Sequence, residues 1–317
     1  MFDFVKPSKL RARGVMGMNH RNFSYIAKYN DRKLYPNVDD KLKTKELALE
    51  HGLAVPDLLG VVKYQHDVKR VFTILDQYSG FCIKPAKGSG GKGILVILKS
   101  DENGYKKASG DYVSREEIVR HISNILAGLF SLGGASDIAV IEALIEFDPV
   151  FEGLSHEGVP DIRMIIFNGY PVMSMLRLAT HDSDGKANLH QGAVGVGLEI
   201  SSGKSRSAVQ FDRPIAEHPD TGKSLSEIAI NDWSRLLKLS ASCYEVSGLG
   251  YLGVDLVLDK VRGPLVLELN ARPGLAIQTA NKIGLLPRLR AIEGLSVRNT
   301  PMVEERVAYV CEHFVSQ

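Results

Sequence analysis

Two neighbouring stretches of the chain alternate between hydrophobic and polar positions. Residues 253–258 and 265–270 repeat with period two, which is typical of half-buried strands, and the segment between them has the Gly and Pro of a turn. The pattern predicts a β-hairpin. It predicts one hydrophobic face, formed by Leu256, Leu258, Leu265, Leu267 and Leu269. It predicts a polar face formed by Asp255, Glu268 and Asn270.

Other patterns predict both helices and strands. A helix is expected over residues 41–50, with Asp39 or Asp40 as its N-cap, and another begins at the capping box of Ser114 and runs towards Leu129. Two more helices are expected over 233–246 and 301–314, and strands over 81–84, 94–98, 140–145, 161–167 and 171–178. The first forty or so residues look irregular because glycines interrupt them. Helices and strands do not alternate strictly, which favours an α+β fold.

A glycine-rich segment lies between two predicted strands. It contains Gly88, Ser89, Gly90, Gly91, Lys92 and Gly93. A dinucleotide fingerprint needs a helix after the glycines, and a P-loop needs Ser or Thr after its lysine, so neither fits. The segment is predicted to be a flap whose backbone N–H groups close over phosphates, with Lys84 and Lys92 adding positive charge, unless it is only a flexible hairpin tip. A protein kinase is excluded by the absence of His-Arg-Asp and Asp-Phe-Gly.

The polar face of the hairpin offers three oxygen ligands. Asp255, Glu268 and Asn270 suit Mg²⁺, a hard cation that reaches proteins through a few carboxylates and nucleotide phosphates. The alternative is a polar face that only contacts water.

Composition limits the classes of function. The chain has 317 residues, of which 44% are hydrophobic and 24% charged, as in ordinary globular proteins. A net charge of +2 does not indicate a nucleic-acid partner. Cations crowd the stretch from Lys6 to Lys33, where they either attract an anionic substrate or keep the surface soluble. Three scattered cysteines and the lack of a signal peptide or membrane span predict a cytoplasmic protein.

The order of these pieces, from about Asp39 to about Thr279, resembles the ATP-grasp superfamily and most closely its RimK-like α-L-glutamate ligase branch. The motifs that carry the resemblance are Asp40-Lys41-Leu42-Lys43 with Gly52-Leu53-Ala54-Val55-Pro56, Ile141-Glu142-Ala143-Leu144-Ile145-Glu146, Asp161-Ile162-Arg163, and Lys186-Ala187-Asn188-Leu189-His190-Gln191-Gly192. The resemblance implies two α+β subdomains that sandwich ATP. The usual member of the family has a complete N-terminal domain ahead of them, whereas the roughly forty residues before Lys41 are not expected to form that domain. The implied division is a basic region over 1–38 and an ATP-grasp domain over 39–317, with a nucleotide lid at about 70–145 and a metal-binding, catalytic subdomain at about 146–317.

The resemblance also implies roles for single residues. ATP is expected to contact Lys41, Lys84, the flap, Glu142, Ala143, Leu144, Glu146, Asp161, Lys186 and Asn188. Asp255, Glu268 and Asn270 fall on the family's magnesium triad, which implies one or two Mg²⁺ ions, with Mn²⁺ as a substitute. The catalytic candidates are Arg163, Arg177, Asn188, Arg272 and His190. His190 is either a base for the amine or a hydrogen-bonding residue, and Arg272 either holds substrate or supports its loop.

The implied function is an ATP- and Mg²⁺-dependent ligase that joins a carboxylate to an amine through an acyl phosphate. It is expected to add glutamate or a similar amino acid to a peptide, a protein or a small acidic acceptor. Residues 13–22 resemble those of α-L-glutamate ligase-like proteins related to RimK. Two alternatives stay open: an ATP-binding regulatory or scaffold subunit without catalysis, and an ATP-grasp phosphotransferase. The basic N-terminal region is the expected contact for a second copy or a partner subunit.

Overall fold

Two antiparallel β-sheets form the framework of the protein. The computed structural model describes residues 5–88, 90–155, 158–295 and 301–315. Ser89, one of the predicted flap residues, lies outside these ranges. Together with the helices described below, the two sheets confirm the predicted α+β class.

The first sheet has six strands in the order β1-β6-β2-β3-β4-β5. In chain order the strands are β1 (Leu58–Val62), β2 (Phe81–Pro85), β3 (Leu95–Asp101), β4 (Gly104–Lys107), β5 (Tyr112–Val113) and β6 (Ala139–Ala143). Phe81 and Ile83 of β2 lie in a buried cluster with the isoleucines of helix α7 (Arg115–Leu126). Because side chains alternate along a strand, Cys82 and Lys84 point to the other face.

The second sheet has seven strands in the order β11-β10-β9-β8-β7-β12-β13. In chain order the strands are β7 (Asp161–Phe167), β8 (Tyr170–Leu178), β9 (Val194–Leu198), β10 (Ser205–Gln210), β11 (Arg213–Ile215), β12 (Tyr251–Asp259) and β13 (Gly263–Asn270). Strands β12 and β13 pair antiparallel, which confirms the predicted hairpin. The sequence patterns did not predict β9, β10 and β11.

The helices pack on the sheets and at their edges. They are α1 (Pro7–Ala12), α2 (Met18–His20), α3 (Ala27–Tyr29), α4 (Pro36–Asp39), α5 (Lys41–Glu50), α6 (Phe72–Leu75), α7, α8 (Trp233–Ser247), α9 (Ala276–Asn281), α10 (Leu286–Glu293) and α11 (Val303–His313). Short 3₁₀ turns lie at Arg32–Leu34, Gln65–Val71, Leu132–Gly134, Pro149–Phe151 and Leu189–Gln191. The carboxylate of Asp40 caps α5, and the predicted capping box of Ser114 begins α7. Within the described ranges, no helix is long and apolar enough to cross a membrane.

A β-bulge interrupts the pairing of the hairpin. Asp255 pairs with Glu268, but Leu256 pairs with Val266, so Leu267 is an extra residue in β13. The bulge shifts the alternation, and Leu265 therefore shares the face of Asp255. The predicted hydrophobic face is wrong for Leu265 and Leu267, and Leu267 is half-buried beside the cleft described below.

The N-terminal segment is helical, so the prediction of an irregular start is wrong. α2 and α3 flank a π-helix at Arg21–Ile26, and a short helix follows at α4. Tyr25 is buried and packs edge-on against Phe167, with a tilted contact to Tyr251. Contacts with the second sheet therefore stabilise a segment whose own pattern is weak, because tertiary packing supplies most helix stability in proteins.

Candidate functional site

A cleft lies between the two sheets. Its walls come from α5, from β2 and β6 of the first sheet, and from β13 of the second. Its lining residues are Lys41, Thr44, Lys45, Val55, Lys84, Glu142, Val266, Leu267, Glu268 and Leu269. The segment after α5 ties the walls together, because Ala54 accepts a hydrogen bond from the backbone of Val266 and Asp57 accepts one from the backbone of Ala143.

Three charged side chains form a buried cluster on the first-sheet wall, which we call the lysine cluster. Lys84 Nζ lies 2.6 Å from Glu142 Oε2, and Lys45 Nζ lies 2.8 Å from Glu142 Oε1. All three side chains are at least 90% buried by accessible surface. Lys45 also donates to the carbonyl oxygen of Pro56. Two cations face one carboxylate, so the cluster carries an excess positive charge.

Burial and charge act against each other in this cluster. Burial by itself would raise the pKa of Glu142, but Lys84 and Lys45 together lower it below its usual range. Burial lowers the pKa of Lys45. At Lys84, burial also acts to lower the pKa, but Glu142 and other neighbouring groups, Glu268 among them, together outweigh it and raise the pKa. Glu142 is therefore ionised at neutral pH, and its charge is shared between two lysines.

Lys41 connects three parts of the cleft. Its Nζ lies 3.2 Å from Glu268 Oε1 on β13 and 2.7 Å from the carbonyl oxygen of Gly88, at the base of the flap. Lys41 and Lys45 are one turn apart on α5, so they project from the same side of the helix. This helix places two cations in the cleft at once.

A second charged cluster lies on one face of the second sheet, and we call it the arginine cluster. Arg163 forms a bidentate ion pair with Asp255. Its Nε donates to Oδ1 of Asp255, and its Nη2 donates to Oδ2 at 2.8 Å. Arg177 Nη2 lies 2.5 Å from Asp161 Oδ2 and 2.9 Å from Asp255 Oδ2. The register explains the arrangement, since Asp255 is opposite Arg163 and Asp161 is opposite Arg177. The cluster has two positive and two negative groups.

The two aspartates of this cluster differ in acidity. Burial raises the pKa of Asp161 to about 6 against the attraction of Arg177, and the charge of Asp255 adds to the rise. Burial opposes ionisation at Asp255 as well, but Arg163 and Arg177 lower its pKa to about 2. Two neighbouring carboxylates titrate as a pair, and Asp255 is the one that holds its charge.

The predicted magnesium triad is brought together by the hairpin. Gly253 pairs with Asn270 and Asp255 pairs with Glu268, so all three ligand side chains share a face. Asn270 Nδ2 lies 3.3 Å from Asp255 Oδ2. Two carboxylates and an amide oxygen are the donors that a hard cation prefers, so the residues fit Mg²⁺. Within the described residues, no group of three or more His, Cys, Asp and Glu side chains is placed to hold a metal. The triad has two carboxylates, and its third member is an amide.

The flap joins β2 to β3 as a hairpin. Gly90, Gly91 and Gly93 have positive φ angles of 63°, 75° and 75°, which only glycine adopts readily. A Cβ at Gly90 or Gly91 would meet no atom within 4 Å, so their backbone borders open space. Lys92 is exposed. The flap can thus approach a ligand with bare backbone.

The predicted adenine-binding segment lies where the chain passes from one sheet to the other. The carbonyl of Leu144 accepts a hydrogen bond from Arg262, at 3.4 Å, and the backbone N–H of Ala143 is used by Asp57. Glu146 is exposed and forms an ion pair with Lys260. Glu142 differs from these residues because its side chain belongs to the lysine cluster.

The predicted loop residues Lys186, Asn188 and His190 lie apart from the clusters. Lys186 pairs with Asp184 at 2.8 Å, and Asn188 caps a short 3₁₀ turn by accepting from the backbone of His190 at 3.1 Å. Among the described residues, no hydrogen bond or ion pair joins these three side chains to the magnesium triad. Arg272 is exposed and lies over the ring of Tyr35, 5.4 Å from its centroid.

Sequence reasoning missed Lys45 as a site residue. The available signal was its spacing of four residues from Lys41 on a predicted helix, which places both on one face. It was hidden because a lysine on a helix is usually an exposed residue. Its burial depends on Glu142, which comes from a distant part of the chain.

Comparison with known proteins assigns the chain to a family. A family model described as "Sugar-transfer associated ATP-grasp" matches residues 20–294. A probable alpha-L-glutamate ligase of Aeromonas salmonicida is 25% identical over 236 residues, which are 74% of this chain and 57% of that protein. One from Maridesulfovibrio salexigens is 23% identical over 259 residues, which are 80% of this chain and 63% of that protein.

Solved structures show a more distant likeness. The D-cycloserine synthetase DcsG has a TM-score of 0.48 and 18% sequence identity, over 82% of this chain and 71% of that one. The predicted ATP-grasp resemblance is confirmed by the family match, and the similarity to α-L-glutamate ligases is found among the curated relatives. The chain spans less than two thirds of the length of these relatives. This protein belongs to the sugar-transfer associated ATP-grasp family.

Proposed function

We propose that this protein is an ATP- and Mg²⁺-dependent ligase that joins a carboxylate to an amine. ATP binding and the use of Mg²⁺ follow from the ATP-grasp fold. The observation that carries the proposal is the contrast between the walls of the cleft. One wall has more lysines than acidic residues, and the other has Glu268, which shares its side of the hairpin with Asn270 and Asp255. Anionic phosphates and a cation are the ligands that these two walls suit.

In this proposal, Lys41 and Lys84 hold the phosphates of ATP. Both carry their charge at the cleft, and the flap from Gly88 to Gly93 closes over the same phosphates with its backbone N–H groups. Closing the flap excludes water, which would hydrolyse a reactive phosphate intermediate. The adenine lies against residues 143–146, and Glu146 binds the ribose once it leaves Lys260.

Glu268 and Asn270 would be the first protein ligands of a magnesium ion. Asp255 completes the set, but its oxygens are already held by Arg163 and Arg177. Bound Mg²⁺ neutralises charge on the nucleotide phosphates. The number of ions, and substitution by Mn²⁺, are part of the proposal and need direct measurement.

The proposed reaction has two steps. A carboxylate oxygen of the acceptor attacks the γ-phosphorus, and the bond from that phosphorus to ADP breaks. The amine then attacks the acyl carbon, inorganic phosphate leaves with the former carboxylate oxygen, and the amine loses a proton. No enzyme nucleophile is required, so catalysis depends on positioning and charge. Arg163 and Arg177 are candidates to stabilise the negative oxygen on the acyl carbon, since their ion pairs fix the planes of their guanidinium groups.

The substrates are the finer part of the proposal. The names of the curated relatives support glutamate, or a similar amino acid, as the incoming amine. The acceptor is a peptide, a protein or a small molecule with a carboxylate. The loop residues Lys186 and Asn188 would help to bind ATP, with His190 as a base or a hydrogen-bonding residue, after a movement of their loop towards the cleft.

The deciding experiment measures Mg²⁺-dependent release of ADP and phosphate while amino acids are paired with acidic acceptors. Glu268→Gln should abolish release, whereas Glu227→Gln, a matched change of an exposed carboxylate, should leave it unchanged. Binding of a fluorescent ATP analogue should survive in both variants and report an intact cleft. Near-normal turnover in Glu268→Gln would contradict the metal assignment.

The products separate the alternatives. Inorganic phosphate together with a new amide supports the ligase. A stable phosphorylated acceptor without an amide would indicate a phosphotransferase instead. Tight nucleotide binding without ADP release over the whole panel would indicate a subunit that does not catalyse.

A further inference from the structure

The N-terminal segment over residues 16–30 packs on the second sheet, with one end at α9 and the other at the start of β12. The side chain of Gln278 accepts from the backbone N–H of Met16 at 2.8 Å and donates to its carbonyl at 3.0 Å. At the other end, Asn30 exchanges two hydrogen bonds with the backbone of Tyr251, at 2.7 and 2.8 Å. These paired contacts anchor both ends of the segment, one on α9 and the other on β12.

Arg21 lies in this segment and has no acidic partner among the described residues. Its Nη1 donates to the carbonyl oxygen of Pro273 at 2.7 Å. Its Nε and Nη2 donate to Asn22 Oδ1 at 3.1 and 2.9 Å. These contacts orient the guanidinium group but leave its charge uncompensated. Arg21 also begins the π-helix, a distortion that is frequent at functional sites.

The anchor of Arg21 lies beside the magnesium triad. Gly253 pairs with Asn270, and a Cβ built on Gly253 would lie 2.6 Å from Cβ of Pro273 and 3.4 Å from Cδ of Arg163. Pro273 therefore packs between the N-terminal segment and the arginine cluster. Arg21 and Arg163 are both close enough to Tyr251 to affect its pKa. Burial raises the pKa of Tyr251, and the positive charge of each arginine opposes that rise.

Arg272 is a second arginine without an ion pair among the described residues, and it lies just after β13, the strand that ends at Asn270. Arg272 follows Asn270 by two positions, is exposed, and has no ion pair within the described part of the chain. It stacks on Tyr35, which precedes α4. Burial raises the pKa of Asp39, and Arg272 is near enough to oppose that rise. The two side chains do not form an ion pair. By contrast, Arg163 and Arg177 are both occupied by aspartates.

We propose that Arg21 and Arg272 together bind a carboxylate of an acidic substrate, so that the N-terminal segment forms a wall of the substrate site. The inference rests on the proposed ligase function and names two specificity residues for it. Arginine suits the task because its planar group binds a carboxylate through two parallel hydrogen bonds. Both guanidinium groups are oriented by neighbours, one by Pro273 and Asn22 and the other by Tyr35. An acidic amino acid is therefore preferred over its amide.

The test measures binding rather than turnover. The full chain, saturated with Mg²⁺ and a non-hydrolysable ATP analogue, is titrated calorimetrically with glutamate, glutamine and N-acetylglutamate. We expect the wild type to bind glutamate about 10-fold or more tightly than glutamine, because glutamine lacks the side-chain carboxylate and so loses a charge-assisted hydrogen bond to the arginines. Arg21→Gln and Arg272→Gln should each remove most of this preference and leave the affinity for the ATP analogue unchanged. Arg32→Gln, an exposed arginine in the same region, should keep the preference.

The outcomes separate this inference from the proposed function. Equal affinity of the wild type for glutamate and glutamine, or absence of binding to both, would overturn the inference. So would a preference that survives in Arg21→Gln. Equal binding of N-acetylglutamate would assign the arginine pair to the acceptor, whereas selective binding of glutamate would assign it to the amine substrate. Failure of ADP release would reject the ligase, and it is measured separately from this preference.

Discussion

The lysine cluster lines the cleft, whereas the arginine cluster lies on the second sheet, where its Asp255 is paired with the cleft residue Glu268. The two clusters differ in charge balance. Lys45 and Lys84 share one carboxylate, that of Glu142, and so retain a positive charge. The arginine cluster pairs two guanidinium groups with two aspartates and is neutral. Both clusters are buried, where an uncompensated charge is costly. The lysine cluster is thus ready for an anion, whereas the arginine cluster must rearrange before Asp255 can bind a cation.

Because their charge balance differs, the two clusters need different ligands before all their charges are paired. A phosphate beside Lys84 would complete the charge balance of the lysine cluster. A magnesium ion at Asp255 would compete with Arg163 and Arg177 for the same oxygens. Cation and arginine repel each other, so metal binding and release of an arginine from Asp255 should be coupled.

The largest effect is expected from Glu142→Gln. The change leaves two buried lysines without a carboxylate, and loss of one partner of a buried ion pair costs about 3 to 5 kcal/mol. Urea unfolding of the variant would measure this loss. The matched control is Glu146→Gln, which removes an exposed carboxylate paired with Lys260 and should cost at most about 1 kcal/mol. Equal losses in the two variants would show that the lysine cluster contributes no special stability.

A smaller effect is expected from Asp255→Asn in the arginine cluster. Asparagine keeps one oxygen for Arg163, and Arg177 keeps Asp161, so the fold should survive. The Mg²⁺ concentration that half-saturates the protein in the presence of an ATP analogue should rise roughly 10-fold or more, because one of the proposed metal ligands loses its charge. Metal-dependent thermal stabilisation would report the change. Asp212→Asn, at an exposed turn, should leave the midpoint unaltered.

A charge-balanced double variant tests the competition directly. Arg177→Met with Asp161→Leu removes one ion pair from the arginine cluster and frees Asp255 Oδ2 from one of its donors. If arginine competes with the cation, this variant should bind Mg²⁺ about 3-fold more tightly in the presence of nucleotide, since Asp255 Oδ2 loses a competing donor while the net charge of the cluster stays the same. Isothermal titration with Mg²⁺ is the measurement. A weaker affinity would mean that Arg177 positions Asp255 for the metal instead.

The sequence predicted those parts of the molecule that depend on local pattern. The alternation of residues 253–258 and 265–270 indicated the hairpin, and the side chain of Asp40 marked the start of α5. The same alternation predicted that Asp255 and Glu268 lie on one face of the hairpin. These predictions succeeded because strand period and helix capping are properties of neighbouring residues.

Other parts depend on contacts between distant residues and were not predictable in this way. The bulge at Leu267 follows from pairing with β12, and a single extra residue moved Leu265 to the polar face. The N-terminal helices owe their stability to Tyr25 against Phe167. The pairing of Lys45 with Glu142 needed the packing of α5 on the first sheet, which no local pattern reveals.

The lysine cluster should also make the stability of the protein depend on pH. Lys84 and Lys45 lower the pKa of Glu142 below its ordinary value of 4.5, so their stabilisation is present above that pH and is lost as the pH falls through the lower folded-state pKa. Lys84→Met should therefore destabilise the protein by about 1 to 2 kcal/mol near neutral pH, because Glu142 still retains Lys45. The loss should shrink as the pH falls below 4.5 and through the lowered folded-state pKa of Glu142, where the wild type protonates Glu142 and loses the same pair. Urea unfolding of both proteins over this range measures the difference, and a loss that stays constant with pH would mean that Glu142 and Lys84 are not electrostatically coupled.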